Sequence, residues 1–75
     1  MALTQKSIEA FFKQYKVTNP DKKMKILPEV TDIIYDYNML VVKYEKEKDA
    51  YKKKQILTDI KEEEEKIAKV FNSKK

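Results

Sequence analysis

From Val30 onward the apolar residues Val30, Ile33, Ile34, Tyr37, Leu40, Val41 and Tyr44 recur at spacings of three and four, one stripe of a helix with about 3.6 residues per turn. Tyr35, Met39 and Val42 form a second stripe on roughly the opposite side, so this helix is apolar on two faces. After the charged stretch 45–54 the helical spacing resumes with Ile56, Ile60, Ile67, Val70 and Phe71. On one continuous helix the later stripe would be rotated by about 100° from the first. Two arrangements answer that rotation. The chain either turns back near Asp49 into an antiparallel hairpin, or runs as a single helix of about 45 residues, about 67 Å long, that offers different faces to different partners. The rotation favours the hairpin, and the lack of Gly, Pro or Asn in the charged stretch favours the rod. The hairpin is the expectation carried forward, and the fold class is all-α.

Glycine is absent and Pro20 and Pro28 are the only prolines, so breakers are few. Asn19-Pro20-Asp21 reads as a turn, with Asn19 pushed out of the α region by the proline after it. Residues 18–27, with the cluster Lys22, Lys23 and Lys25, read as a basic linker between a short unit at 1–17 and a helical region at 28–75. Pro28 suits the first position of that region, with Glu29 and Asp32 where carboxylates favour a helix N-terminus.

Composition narrows what such a chain can do. At 75 residues it holds one small core at most. It has no cysteine and no histidine, which removes thiolate chemistry, the imidazole base and the commonest metal ligand. The expectation is a non-enzymatic protein with neither cofactor nor metal. All 17 basic residues are lysine, so the guanidinium fork that reads guanine is missing, and 13 carboxylates interleaved with them leave a net charge of only +4. No stretch is apolar enough for a signal peptide or a membrane span, which suggests a soluble protein of the cytoplasm, associated with the nucleoid or nuclear in a eukaryote. Lys and Glu enrichment with few amides suits a hyperthermophile, and equally an AT-rich genome.

One segment carries a specific signal. Gln5-Lys6-Ser7-Ile8-Glu9-Ala10-Phe11-Phe12 matches, at every fixed position, the pattern Gln-x-x-(Ile/Leu/Met)-x-x-aromatic-aromatic. It resembles the PIP box, the peptide through which replication and repair proteins bind the sliding clamp PCNA. The resemblance covers eight residues. It implies that Ile8, Phe11 and Phe12 plug a pocket beneath the clamp's interdomain connector after one 3₁₀ turn, with Gln5 held in a small polar pocket. In such a turn, of about three residues, i and i+3 eclipse, so Ile8 and Phe11 share a side and Phe12 fills the space beside them. Lys13 and Lys16 would face the acidic rim of the clamp.

The same residues also support a plainer reading, since Ile8, Phe11, Phe12 and Tyr15 stand at i, i+3, i+4 and i+7 and form the core face of an ordinary first helix capped near Thr4 or Ser7. Tyr35, Met39 and Val42 would be left uncovered by a two-helix hairpin and are the candidate docking face for a partner. Lys22, Lys23, Lys25, Lys52, Lys53 and Lys54 are candidate phosphate contacts for weak or indirect DNA binding. The run Glu62 to Glu65 reads as a solvated face with Glu62–Lys66 and Glu65–Lys69 pairs. The layout is similar to small accessory subunits that join an archaeal replicative DNA polymerase to PCNA. The alternative is a helical regulator of phage or plasmid type that binds host machinery or DNA, with Ile8, Phe11 and Phe12 in its core.

Overall fold

A computed structural model describes residues 2–73. Three helices follow one another: α1 (Gln5–Gln14), α2 (Pro20–Lys46) and α3 (Ala50–Ser73). The hairpin expectation holds, because α2 and α3 pack antiparallel along the long, 44 Å axis of the molecule. The turn is built without Gly, Pro or Asn. The Glu47 carboxylate accepts from the Lys48 and Asp49 amides at 3.1 and 3.2 Å, and Asp49 Oδ1 accepts from the Tyr51 amide at 2.8 Å. Glu47 thus satisfies two amides of the turn and Asp49 one that the start of α3 leaves open, where its negative charge also sits favourably.

The segment expected to be a linker is largely helical. Instead of beginning at Pro28, α2 begins at Pro20, and Pro28 lies in its interior. The reason is local and then tertiary. Asn19 is extended and its side chain accepts from the Asp21 amide at 2.8 Å, with Pro20 in the first turn and Asp21 just behind it, a stronger helix start than Pro28 offers. Ile26, fully buried nearly two turns after that start, continues the stripe of Val30, Ile34, Tyr37 and Val41. Pro28 removes the donor for the Met24 carbonyl, but both residues face solvent, where water takes the carbonyl over.

α1 ends where Lys16 turns into the left-handed region at φ 57°. The Val17 amide then reaches back to the Phe12 carbonyl at 2.8 Å and the Lys16 amide to the Lys13 carbonyl at 3.2 Å. This is a Schellman-type ending, in which glycine usually occupies the left-handed position. The chain has no glycine, and burial of Val17 offsets the strain of a lysine there. Reversed by this turn, α1 runs back along the first half of α2.

The core has two parts. Ile8, Val17, Ile26, Val30, Ile34, Ile67 and Phe71 form one cluster where three helices meet, while Tyr37, Val41 and Ile60 form another where only the hairpin packs. Between them on α3 lies Glu63, 9% exposed, the exception to the solvated reading of the run, since Glu62, Glu64 and Glu65 face solvent. The pairing differs too: Glu63 Oε1 accepts from Lys66 Nζ at 3.0 Å, and its Oε2 has no partner.

Two outcomes are expected. Pro28→Ala restores a helical hydrogen bond and should raise stability by about 1–3 kcal/mol, measured by urea denaturation. The second is pH dependence. Burial, and secondly the charge of Glu64, push the Tyr37 hydroxyl above its ordinary pKa of 10.0, and the hydrogen bond to Glu63 raises Lys66 above 10.5. Both groups hold their protons longer when folded, so their contribution is complete below about pH 10 and is lost as pH rises through the folded-state values. The denaturation midpoint should fall above about pH 10, and less steeply in Tyr37→Phe.

Candidate protein-binding site

α1 is ten residues long, too short to be stable alone, and carries no acidic residue in its first turn. Its order comes from what it touches. Ser7 Oγ accepts from the Thr4 amide at 3.0 Å and starts the helix, in line with the capping expected near Thr4 or Ser7. Ahead of it, Leu3 is clasped by Asn38 of α2: Asn38 Oδ1 accepts from the Leu3 amide at 2.8 Å, and Asn38 Nδ2 donates to the Leu3 carbonyl at 2.9 Å. At the other end three aromatic rings surround Phe71, which is fully buried. Tyr15 stacks on it at 4.8 Å and 5°, Phe12 meets it edge-on at 5.7 Å and 77°, and Phe11 lies tilted at 5.8 Å. Such ring pairs contribute about 0.5–1.5 kcal/mol each beyond the area they bury.

The four residues matched to the clamp peptide are therefore placed unequally. Ile8 is 9% exposed and belongs to the core, Phe11 and Phe12 are half-buried, and Gln5 is exposed. Their arrangement is α-helical, with Ile8, Phe11 and Phe12 turned inward together. That is the geometry of the plainer reading of the segment.

The candidate docking face is open. Tyr35, Met39 and Val42 are 66%, 46% and 43% exposed, and α1 covers a different side of α2. The six candidate phosphate-binding lysines are not brought together. Lys22, Lys23 and Lys25 sit at the start of α2 and Lys52, Lys53 and Lys54 at the start of α3, which an antiparallel hairpin sets at opposite ends. Two of the six lie over rings: Lys23 Nζ is 5.6 Å from the Phe12 centroid and Lys53 Nζ 4.9 Å from that of Tyr44. Among the described residues no group of three or more Asp or Glu side chains is arranged to hold a metal ion, and no helix is long and apolar enough to cross a membrane.

Sequence reasoning missed Asn38 and Glu63. Glu63 stands at i+3 from Ile60 and i−4 from Ile67, and that spacing placed it on the buried stripe. Asn38 gave no such signal, because its partners are backbone atoms 35 residues away. No protein-family model, curated protein or solved structure matches the chain.

Asn38→Ala removes both hydrogen bonds to Leu3, at about 1–2 kcal/mol. Its expected signature is local: amide exchange should quicken in α1 while the central amides of α2 and α3 keep their protection. Equal acceleration throughout would mean that α1 opens only with the whole molecule.

Proposed function

We propose that this protein is a non-enzymatic adaptor that binds a sliding clamp of the PCNA type through Gln5, Ile8, Phe11 and Phe12 and docks a second protein, such as a replicative polymerase, on the outer face of α2. The observation that carries the reading is the agreement of residues 5–12 with the clamp-binding pattern at every fixed position. A core helix requires neither Gln5 nor two adjacent aromatic residues. The tether also supports it, since α1 joins α2 through only the short stretch 15–19 and is otherwise held by side chains and the Asn38 clasp.

Binding requires α1 to leave Phe71, because Ile8, Phe11 and Phe12 cannot fill a clamp pocket and the core together. The docked state then lowers the apparent affinity of the whole chain by the fraction of molecules in which α1 is open. An isolated peptide escapes that cost.

A second reading is favoured by one observation, the burial of Ile8 beside the aromatic nest on Phe71. In it α1 is a permanent third helix of a small regulator that binds other machinery or DNA by its outer surface.

Calorimetry against PCNA separates the two. A peptide spanning residues 1–17 should bind with micromolar affinity, the full chain at least about tenfold more weakly, and full-length Asn38→Ala in between. Absence of heat with the peptide at high micromolar concentration would end the clamp reading. A peptide that binds beside a full chain and an Asn38→Ala variant that do not would leave α1 as core.

A further inference from the structure

The apolar face of α2 is longer than Tyr35, Met39 and Val42. Met24, 72% exposed, and Leu27, 42% exposed, continue it toward the start of the helix. At about 100° per residue all five fall within about 60° of one line, with Thr31 between Leu27 and Tyr35. The stripe from Met24 to Val42 is about 27 Å long, or five helical turns. An apolar strip of this extent on so small a protein marks an interaction surface.

It has two unlike borders. On one side α1 raises a wall: a cleft of 280 Å³ is lined by Ile8, Phe12, Met24 and Leu27, and a second of 370 Å³ by Leu3, Ile8, Leu27 and Thr31. The opposite border is charged. Exposed Lys25 stands near its start with Asp21 one turn before it, Glu29, Asp32 and Asp36 lie toward its centre, and Lys43 and Lys46 stand near its end. Asp36 also acts electrostatically on Lys66, and Asp32 faces solvent.

This charge order selects among occupants. A second copy laid antiparallel about the midpoint would set Asp32 and Asp36 against their own counterparts and Lys25 against Lys43, like charge on like, with Asp21 against Lys46 the one opposite pair. A helix with its basic residues in the middle and acidic residues in its end turns meets the opposite sign at the carboxylate centre and at Lys25, Lys43 and Lys46, with Asp21 the one like charge.

We propose that the channel between α1 and the charged border of α2 receives one amphipathic helix of a partner protein, about 18 residues long, with an apolar seam, a basic centre and acidic ends. The proposal rests on the partner-docking half of the adaptor reading and stands whether or not the chain binds a clamp. The α1 wall makes the site a groove, and the anchors of the incoming helix fill the two clefts beside Leu27.

The test uses two synthetic 18-residue peptides with the same leucine seam. One carries Lys at its centre and Glu in both end turns, and the other has the charges reversed. By fluorescence anisotropy, in low salt and with no clamp present, the first should bind the full chain about tenfold or more tighter than the second. Met39→Lys should weaken it by at least about tenfold with no change in melting temperature, and Val42→Lys should do the same. Asp32→Lys should erase the preference between the peptides. Equal binding of the two peptides, or binding of neither, overturns the proposal. So does a dimer of the free chain in the ultracentrifuge that Met39→Lys dissolves, since the stripe would then be covered by a second copy. None of these readings involves PCNA, so a failed clamp measurement leaves the result standing.

Discussion

The packing of one ring orders the first quarter of the chain. Phe71, near the end of α3, is fully buried under Phe11, Phe12 and Tyr15. Without that cover α1 is a ten-residue segment with too few hydrogen bonds to repay helix nucleation. Without α1, Phe71 and Ile26 would face water at one end of the hairpin, since α2 and α3 alone cover one face of each other. The dependence runs both ways, and the Schellman turn at Lys16 links the partners. It reverses the chain within the stretch 15–19 and seats Val17 in the same cluster.

The far half of the hairpin has no such third layer. There Tyr37, Val41 and Ile60 are closed only by half-buried neighbours such as Leu40, Tyr44 and Ile56. Glu63 stands between the two clusters with one oxygen on Lys66 and the other unpartnered. A carboxylate held this way costs stability relative to an apolar side chain of similar size. The larger of the two buried clusters thus lies where three helices meet, and Ile8, Phe11 and Phe12 of α1 belong to it or pack against it.

The helical stripes were legible because period alone defines them. Val30, Ile34, Tyr37 and Val41 are buried as their spacing predicts, and Tyr35 and Met39 are exposed because one partner helix covers one face. The turn near Asp49 was also legible, from the rotation of the stripes, although its chemistry was not. Carboxylates of Glu47 and Asp49 do there what glycine or asparagine does elsewhere. The extent of α2 was misjudged because an interior proline is a local penalty, and burial of Ile26 outweighs it only once α1 and α3 are in place. The site was legible as residue types and not as a state. Spacing of three and four fits both a clamp peptide and a core face, and only the position of Phe71, 60 residues along, selects the helical arrangement.

That ambiguity has a mechanical consequence on the adaptor reading. Ile8 and Phe12 serve three ends: they close the core over Phe71, they line the groove beside Met24 and Leu27, and they match the apolar positions of the clamp motif. The first two uses are compatible, because the groove exists only while α1 is docked. The third excludes both, since a ring inserted in a clamp pocket leaves Phe71 uncovered and removes the wall of the groove. A helix held in the groove therefore stabilises the docked state by its preference for that state, and by linkage it weakens clamp binding by the same factor. On that reading clamp and partner helix would contact one adaptor alternately, and the exchange would need no conformational change beyond release of a single short helix.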